Sequence, residues 1–273
     1  MQWVALPLPP TCPQKVRIGF ICKSSYSDDE ETNFSSTTHF TVVRILQFDD
    51  PPPPGRLSRF SSTLKLEMFS SETGKWTQSV TKSKSRSMRF VWCELHAPAS
   101  AVVCNGILHW CDLWAASADS IFAHDPSSNT DYRIIKLPKD KNWGTHIHCF
   151  GECQEHLMFA KFCGGIFKVW QLKDYNRGEW SLLHAVHLTI DPQIFKYATC
   201  SDPDMYILAF HPTDRDVLFL GFPGYIILCN LRSTTLKAVC CLVHPNAYLL
   251  SSMVFPFVLP WWPTPVPPLP SPE

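Results

Sequence analysis

The residues with the most capacity for metal chemistry are His146, His148, Cys149, Cys153 and His156, spaced H-x-H-C-x3-C-x2-H. Imidazole and thiolate are the donors zinc prefers. A closed zinc site needs four converging, commonly as two close pairs on separate turns. Here the candidates lie in or beside one apparent hairpin, IHCFGECQEHLMF. Strand alternation sends His146, His148 and Phe150 to one face and Cys149 to the other. The spacing therefore predicts neither a metal site nor a cofactor.

The remaining chemistry is diffuse. There is no nucleophile elbow, HExxH, phosphate loop or dinucleotide fingerprint. Ser, His and Asp are abundant, but no spacing unites them into a triad. His124-Asp125-Pro126 and His211-Pro212 read as turns shaped by Asx and Pro chemistry. No catalytic residue is expected, and the chain is read as no enzyme. The segment from Lys75 to Arg89 holds Lys75, Lys82, Lys84, Arg86 and Arg89 among Ser and Thr. It could meet phosphate, and its hydroxyls could be phosphorylated. It reads first as a solvated loop, because aromatic residues are absent from its later part until Phe90 and Trp92. The acidic run at 28–31 lies in a similar polar stretch.

Twelve Cys contain no CxxC, and Cys240 and Cys241 are adjacent. With no secretory leader at Met1-Gln-Trp-Val, they read as reduced, mostly buried thiols in a cytoplasmic or nuclear protein. Lys plus Arg is 24 and Asp plus Glu is 24. That balance gives no general attraction to nucleic acid or an anionic membrane. The most apolar stretch, 247–262, is shorter than a spanning helix and is interrupted by Pro256 and Pro260. No membrane segment is expected. The tail carries Pro260-x-x-Pro263, Pro265-x-x-Pro268 and Pro267-x-x-Pro270, spacing that suits a polyproline ligand but lacks basic flanks.

The elements around these residues are strands. Helical periodicity is nearly absent, and short β-branched and aromatic runs recur between Gly, Pro, Asn, Asp and Ser. Asn105-Gly106 has the form of a two-residue hairpin turn, and Pro223-Gly224 punctuates a second hairpin. Four segments repeat one plan of strand, polar turn and strand: 66–80, 121–138, 169–184 and 226–239. Trp76, Tyr132 and Trp180 fall at similar places after the turns, at steps of 56 and 48 residues. Trp76 and Trp180 are expected to be buried at equivalent positions. Trp3-Val-Ala-Leu-Pro7 matches Ile134-Ile-Lys-Leu-Pro138, as if a further copy began upstream. A period of about 50 residues with four strands per unit predicts an all-β chain, a β-propeller with an incomplete first blade, against the alternative of unrelated hairpins in a sandwich or barrel.

The segments LEMFSSETGKW (66–76), VVCNGILHW (102–110), IFAHDP (121–126), FKVWQLKDYNRGEW (167–180) and FHPTDRDVLFL (210–220) resemble the F-box-associated domain of plant F-box proteins. The ending VFPFVLPWWPTPVP (254–267) also resembles members from grasses. The resemblance implies a kelch-like propeller over 1–243, followed by a terminal strand and Pro-rich tail over 244–273. It implies a non-catalytic module that presents a target protein to a cullin-type ubiquitin ligase. Residues 1–60 show no F-box, so a Skp-type adaptor is expected as a partner only through an F-box upstream. The alternatives are a stand-alone kelch-like interaction protein or a propeller enzyme. An enzyme would want acidic or metal-binding residues repeated at blade period, and none repeat. The sequence assigns no substrate-binding residue.

Overall fold

The structure is a computed structural model that describes residues 5–12, 16–25, 37–46, 58–61, 63–82, 90–93, 101–111, 120–128, 132–139, 147–163, 165–188, 205–222 and 225–241. Every regular element among them is a strand. In chain order these are β1 (Val16–Ser25), β2 (Thr37–Leu46), β3 (Ser58–Ser61), β4 (Thr63–Ser70), β5 (Lys75–Lys82), β6 (Phe90–Cys93), β7 (Val102–Cys104), β8 (Ile107–Cys111) and β9 (Ser120–His124). They continue as β10 (Arg133–Lys136), β11 (Ile147–Cys153), β12 (His156–Cys163), β13 (Ile166–Asp174), β14 (Glu179–His187), β15 (Tyr206–Phe210), β16 (Val217–Phe222), β17 (Tyr225–Asn230) and β18 (Thr235–Cys241).

Sixteen of these strands form four sheets of four, ordered β1-β2-β4-β5, β7-β8-β9-β10, β11-β12-β13-β14 and β15-β16-β17-β18. β3 and β6 pair as a separate ribbon. Three of the large sheets are meanders in which sequence neighbours pair, and the first is a meander interrupted once, between β2 and β4, where the chain leaves to form β3; a four-stranded meander is the blade unit of a β-propeller. The chain divides into two compact units, one within Met1–Ile135 and the other within Lys136–Val258.

The turns follow from local chemistry. Asn105 and Gly106 take φ of 50° and 73°, as a two-residue primed turn requires. Gly74 and Gly178 take φ of 65° and 68° at the ends of the two polar turns that precede Trp76 and Trp180. Asp125 folds its turn by accepting from Ser127 N at 2.9 Å and Ser127 Oγ at 2.6 Å, an Asx turn. β16 and β17 pair up to Phe222 and Tyr225, the hairpin expected around residues 223–224, which lie outside the described residues.

Alternation then builds the cores. In the first unit Val43, Ile45, Leu64 and Leu66 leave sheet one on one face and meet Leu108, Trp110, Phe122 and Tyr132. In the second, Met158, Ala160, Phe167 and Val169 of sheet three meet Ile207, Phe210, Leu218 and Leu220 of sheet four. Two glycines permit these approaches. A Cβ on Gly19 would stand 2.7 Å from Leu108 Cδ2 and 2.9 Å from the Trp110 ring. One on Gly151 would stand 2.7 Å from Phe210 Cδ2.

Two expectations need correction. Trp76 and Trp180 are half-buried rather than buried. Each stands on an outermost strand of its sheet, β5 or β14. Lys75 and Lys82 lie on β5 and not in a loop, while Lys84, Arg86 and Arg89 lie outside the described residues. The acidic run at 28–31 and the whole of 244–273 also lie outside them.

Candidate interaction surface

The structure does not bring the described His and Cys candidates together. Cys149 and Cys153 are buried on β11, four residues apart and so about 13 Å apart along a strand. Burial pushes the Cys149 thiol up to about 12 and, as the largest of several influences, the Cys153 thiol up to about 11. Protonated thiols make poor metal ligands. His148 points the other way and stacks on Phe159, with ring centroids 5.9 Å apart. His156 Nδ1 lies 2.6 Å from Gln154 O in the intervening turn. His146 lies outside the described residues.

A polar network does form, at the turn end of the second unit. It grows from the segment FHPTDRDVLFL. Asp214 Oδ1 accepts from Asp216 N at 2.9 Å and closes the turn. Arg215 is thereby aimed at sheet three, where its Nε donates to Gln154 Oε1 at 2.7 Å and its Nη1 to Gln171 Oε1 at 3.2 Å. Gln154 sits in a left-handed turn with φ of 50°. It answers with Nε2 to Thr213 O at 2.7 Å and N to Pro212 O at 3.0 Å. Asp216 joins the two sheets again: Oδ1 lies 2.9 Å from His184 Nε2 and Oδ2 lies 2.8 Å from Arg232 Nε.

This His–Asp pair does not have the serine-triad arrangement. A triad histidine gives Nδ1 to its carboxylate and keeps Nε2 for the nucleophile. In His184 it is Nε2 that the carboxylate occupies. The network fixes the turns between two sheets, and it leaves the Arg232 side chain 80% exposed. Sequence reasoning treated His211-Pro212 as a turn, which it is, but missed Arg215 and Asp216. Their charge flanking a strand start was the available signal.

In the first unit the buried titratable groups are internal. His109 on β8 is held down to about 4, mainly by burial, and His124 is lowered for the same reason. Glu67, fully buried, pairs with Arg44 at 2.7 Å. Among the described residues no group of three or more His, Cys, Asp or Glu is placed to hold a metal ion. No helix among them is long and apolar enough to cross a membrane.

Comparison with known proteins supplies the context for these blades. A family model described as "F-box protein At3g26010-like, beta-propeller" matches residues 1–243. The putative F-box/kelch-repeat protein At1g15680 of Arabidopsis thaliana is 25% identical over 179 residues, covering 59% of this chain and 37% of that protein. The chain thus matches little more than a third of that relative's length. Among solved structures, an oligogalacturonate lyase from Vibrio parahaemolyticus is 10% identical, with a TM-score of 0.34 over 74% of this chain and 51% of its own. AztD from Citrobacter koseri is 13% identical, with a TM-score of 0.31 over 75% of this chain and 58% of its own. Both likenesses are too slight to carry an argument. The family match covers most of the chain, and the chain belongs to the F-box protein At3g26010-like β-propeller family.

Proposed function

We propose that this member of the F-box protein β-propeller family is the target-recognition module of a cullin-type ubiquitin ligase, working in the cytoplasm or nucleus. The observation that carries the reading is the family match over residues 1–243, laid on four blade sheets. A propeller suits such a role because strand pairing and inter-blade packing fix the scaffold, leaving the connecting turns to present side chains. The ordered network of Arg215, Gln154, Asp216 and Arg232 supports this reading, since its charges hold turns in place. Catalysis in such a ligase belongs to other subunits, and the propeller supplies proximity. The Skp-type adaptor is held by an F-box and not by the blades.

The test is reconstitution. The chain carrying an F-box ahead of residue 1 is mixed with a Skp-type adaptor, a cullin core and ubiquitin-charging enzymes. Proteins captured by the propeller are expected to be ubiquitylated, and the adaptor is expected to bind only the F-box form. Equal adaptor binding by the 273-residue chain alone, or captured proteins that are never modified, would overturn the proposal.

A further inference from the structure

Residues 5–12, ahead of the first blade, cross the face of sheet one instead of pairing along a strand. Pro7 O accepts from Trp76 Nε1 on β5 at 2.9 Å. Four residues on, Thr11 is held twice: its carbonyl accepts from Arg44 Nη1 on β2 at 3.1 Å, and its hydroxyl donates to Glu67 Oε1 on β4 at 2.7 Å. Arg44 Nη1 also donates to Glu67 Oε2 at 2.7 Å, Gln78 Nε2 donates to Glu67 Oε1 at 3.1 Å, and the Arg44 guanidinium lies 5.6 Å from the Trp76 ring centroid. The segment therefore spans three strands of the sheet.

Sheet three shows how much of this a blade requires. Trp76 pairs with Phe69, and Trp180 with Leu172. Counting from those pairs, the positions of Glu67 and Arg44 correspond to Trp170 and Phe159, which also face one another across β12 and β13. Gln78 corresponds to Leu182. Trp180 likewise donates Nε1 to a backbone carbonyl ahead of its sheet, Lys136 O at the end of β10, at 2.8 Å. The apolar version thus builds a blade and holds a carbonyl without any ion pair. Burying an ion pair is not in itself stabilising, so the pair in sheet one calls for another role. Its free valences are directed at Thr11. Pro7, Pro9 and Pro10 stiffen the strap and reduce the entropy lost on seating it.

We infer that residues 5–12 form a clamped mount. The Trp76 indole and the Arg44–Glu67 pair fix the line along which the chain enters the propeller. The seated segment sets the place and direction at which the chain meets sheet one from whatever lies ahead of residue 5. That an F-box lies there rests on the proposed function; the clamp does not.

The test uses the full chain and amide 15N relaxation at Leu6, Leu8, Thr11 and Cys12. The wild type is expected to give order parameters near those of the strands, about 0.85, and Trp76→Phe combined with Thr11→Val to give values below about 0.6. Amides of β4 and β5 should keep order parameters of about 0.85, so that the sheet stays rigid while the strap loosens. Thr11→Val alone changes no residue of the sheet and leaves Glu67 its donors Gln78 and Arg44, and it should loosen Thr11 and Cys12 first. A strap already mobile in the wild type, or one still rigid in the double variant, would overturn the clamp. Adaptor binding by an F-box-bearing version is scored separately. Its failure beside a rigid strap would sink the ligase reading and leave the clamp standing.

Discussion

Gly19 and Gly151 occupy the same place in two different blades. From Trp76 the cross-strand pairs lead through Phe69 to its neighbour Met68, then to Val43 and Gly19. From Trp180 they lead through Leu172 to its neighbour Gln171, then to Met158 and Gly151. Both glycines thus lie on the first strand of a sheet, and each receives a large side chain from the next sheet of its unit. The repeat is therefore one of inter-blade packing as well as of strands and turns.

Adding a methyl at either position should overpack the contact. Gly151→Ala and Gly19→Ala are each expected to destabilise by about 1–3 kcal/mol, read from the urea midpoint at constant m-value. Phe210→Leu in the Gly151→Ala background should recover part of the loss, because the two changes share one space. Strict additivity of the two would show that the glycine is not there to admit Phe210.

The tryptophans make a second prediction with a different magnitude. Trp180→Phe keeps most of the ring but loses the hydrogen bond to Lys136 O, so a loss of about 1 kcal/mol is expected. Trp76→Phe should cost a similar amount through Pro7 O. Wild-type stability in both variants would remove the indole–carbonyl bond from any account of the repeat.

Much of the architecture was legible because it is written locally. Asn105-Gly106 announces its turn by backbone chemistry alone, and Trp76 and Trp180 after their polar turns mark two of the blades. What was not legible depends on register. Glu67 and Arg44 are 23 residues apart and meet only because β2 and β4 pair as they do. An aromatic residue in a strand pattern does not say whether the strand is inner or outer, so Trp76 and Trp180 read as more buried than they are. The partner of Gly151 lies in the next sheet, at Phe210, and no local signal joins them.

Buried thiols should separate from exposed ones in reactivity. Cys149 and Cys229, both pushed up to about 12 by burial, should resist maleimide in the folded protein, along with buried Cys104, Cys111 and Cys153. Exposed Cys12 and Cys240 should label within minutes. Peptide mass mapping reads the order. Zinc at equimolar concentration should not change it, and protection of Cys149 or Cys153 by zinc would count against the expectation of no metal site.

The last prediction concerns acid stability and rests on His109. In the folded protein burial holds this imidazole down to about 4, against an ordinary value of 6.5. The unfolded chain therefore binds more protons than the folded one between those values. Stability rises with pH wherever the unfolded state holds more protons, so the contribution is full above about 6.5 and is lost as pH falls toward 4. A gap of this size corresponds to about 3 kcal/mol across the window. Buried His124, also lowered, acts in the same direction. Carboxylates titrate at the acid end too, so the decisive quantity is the difference between wild type and His109→Leu. The variant lacks the proton uptake and should show a flatter fall in urea midpoint between pH 6.5 and pH 5, where carboxylates contribute least. Parallel profiles for the two proteins over that interval would mean that His109 titrates alike in both states and that its burial carries no acid sensitivity.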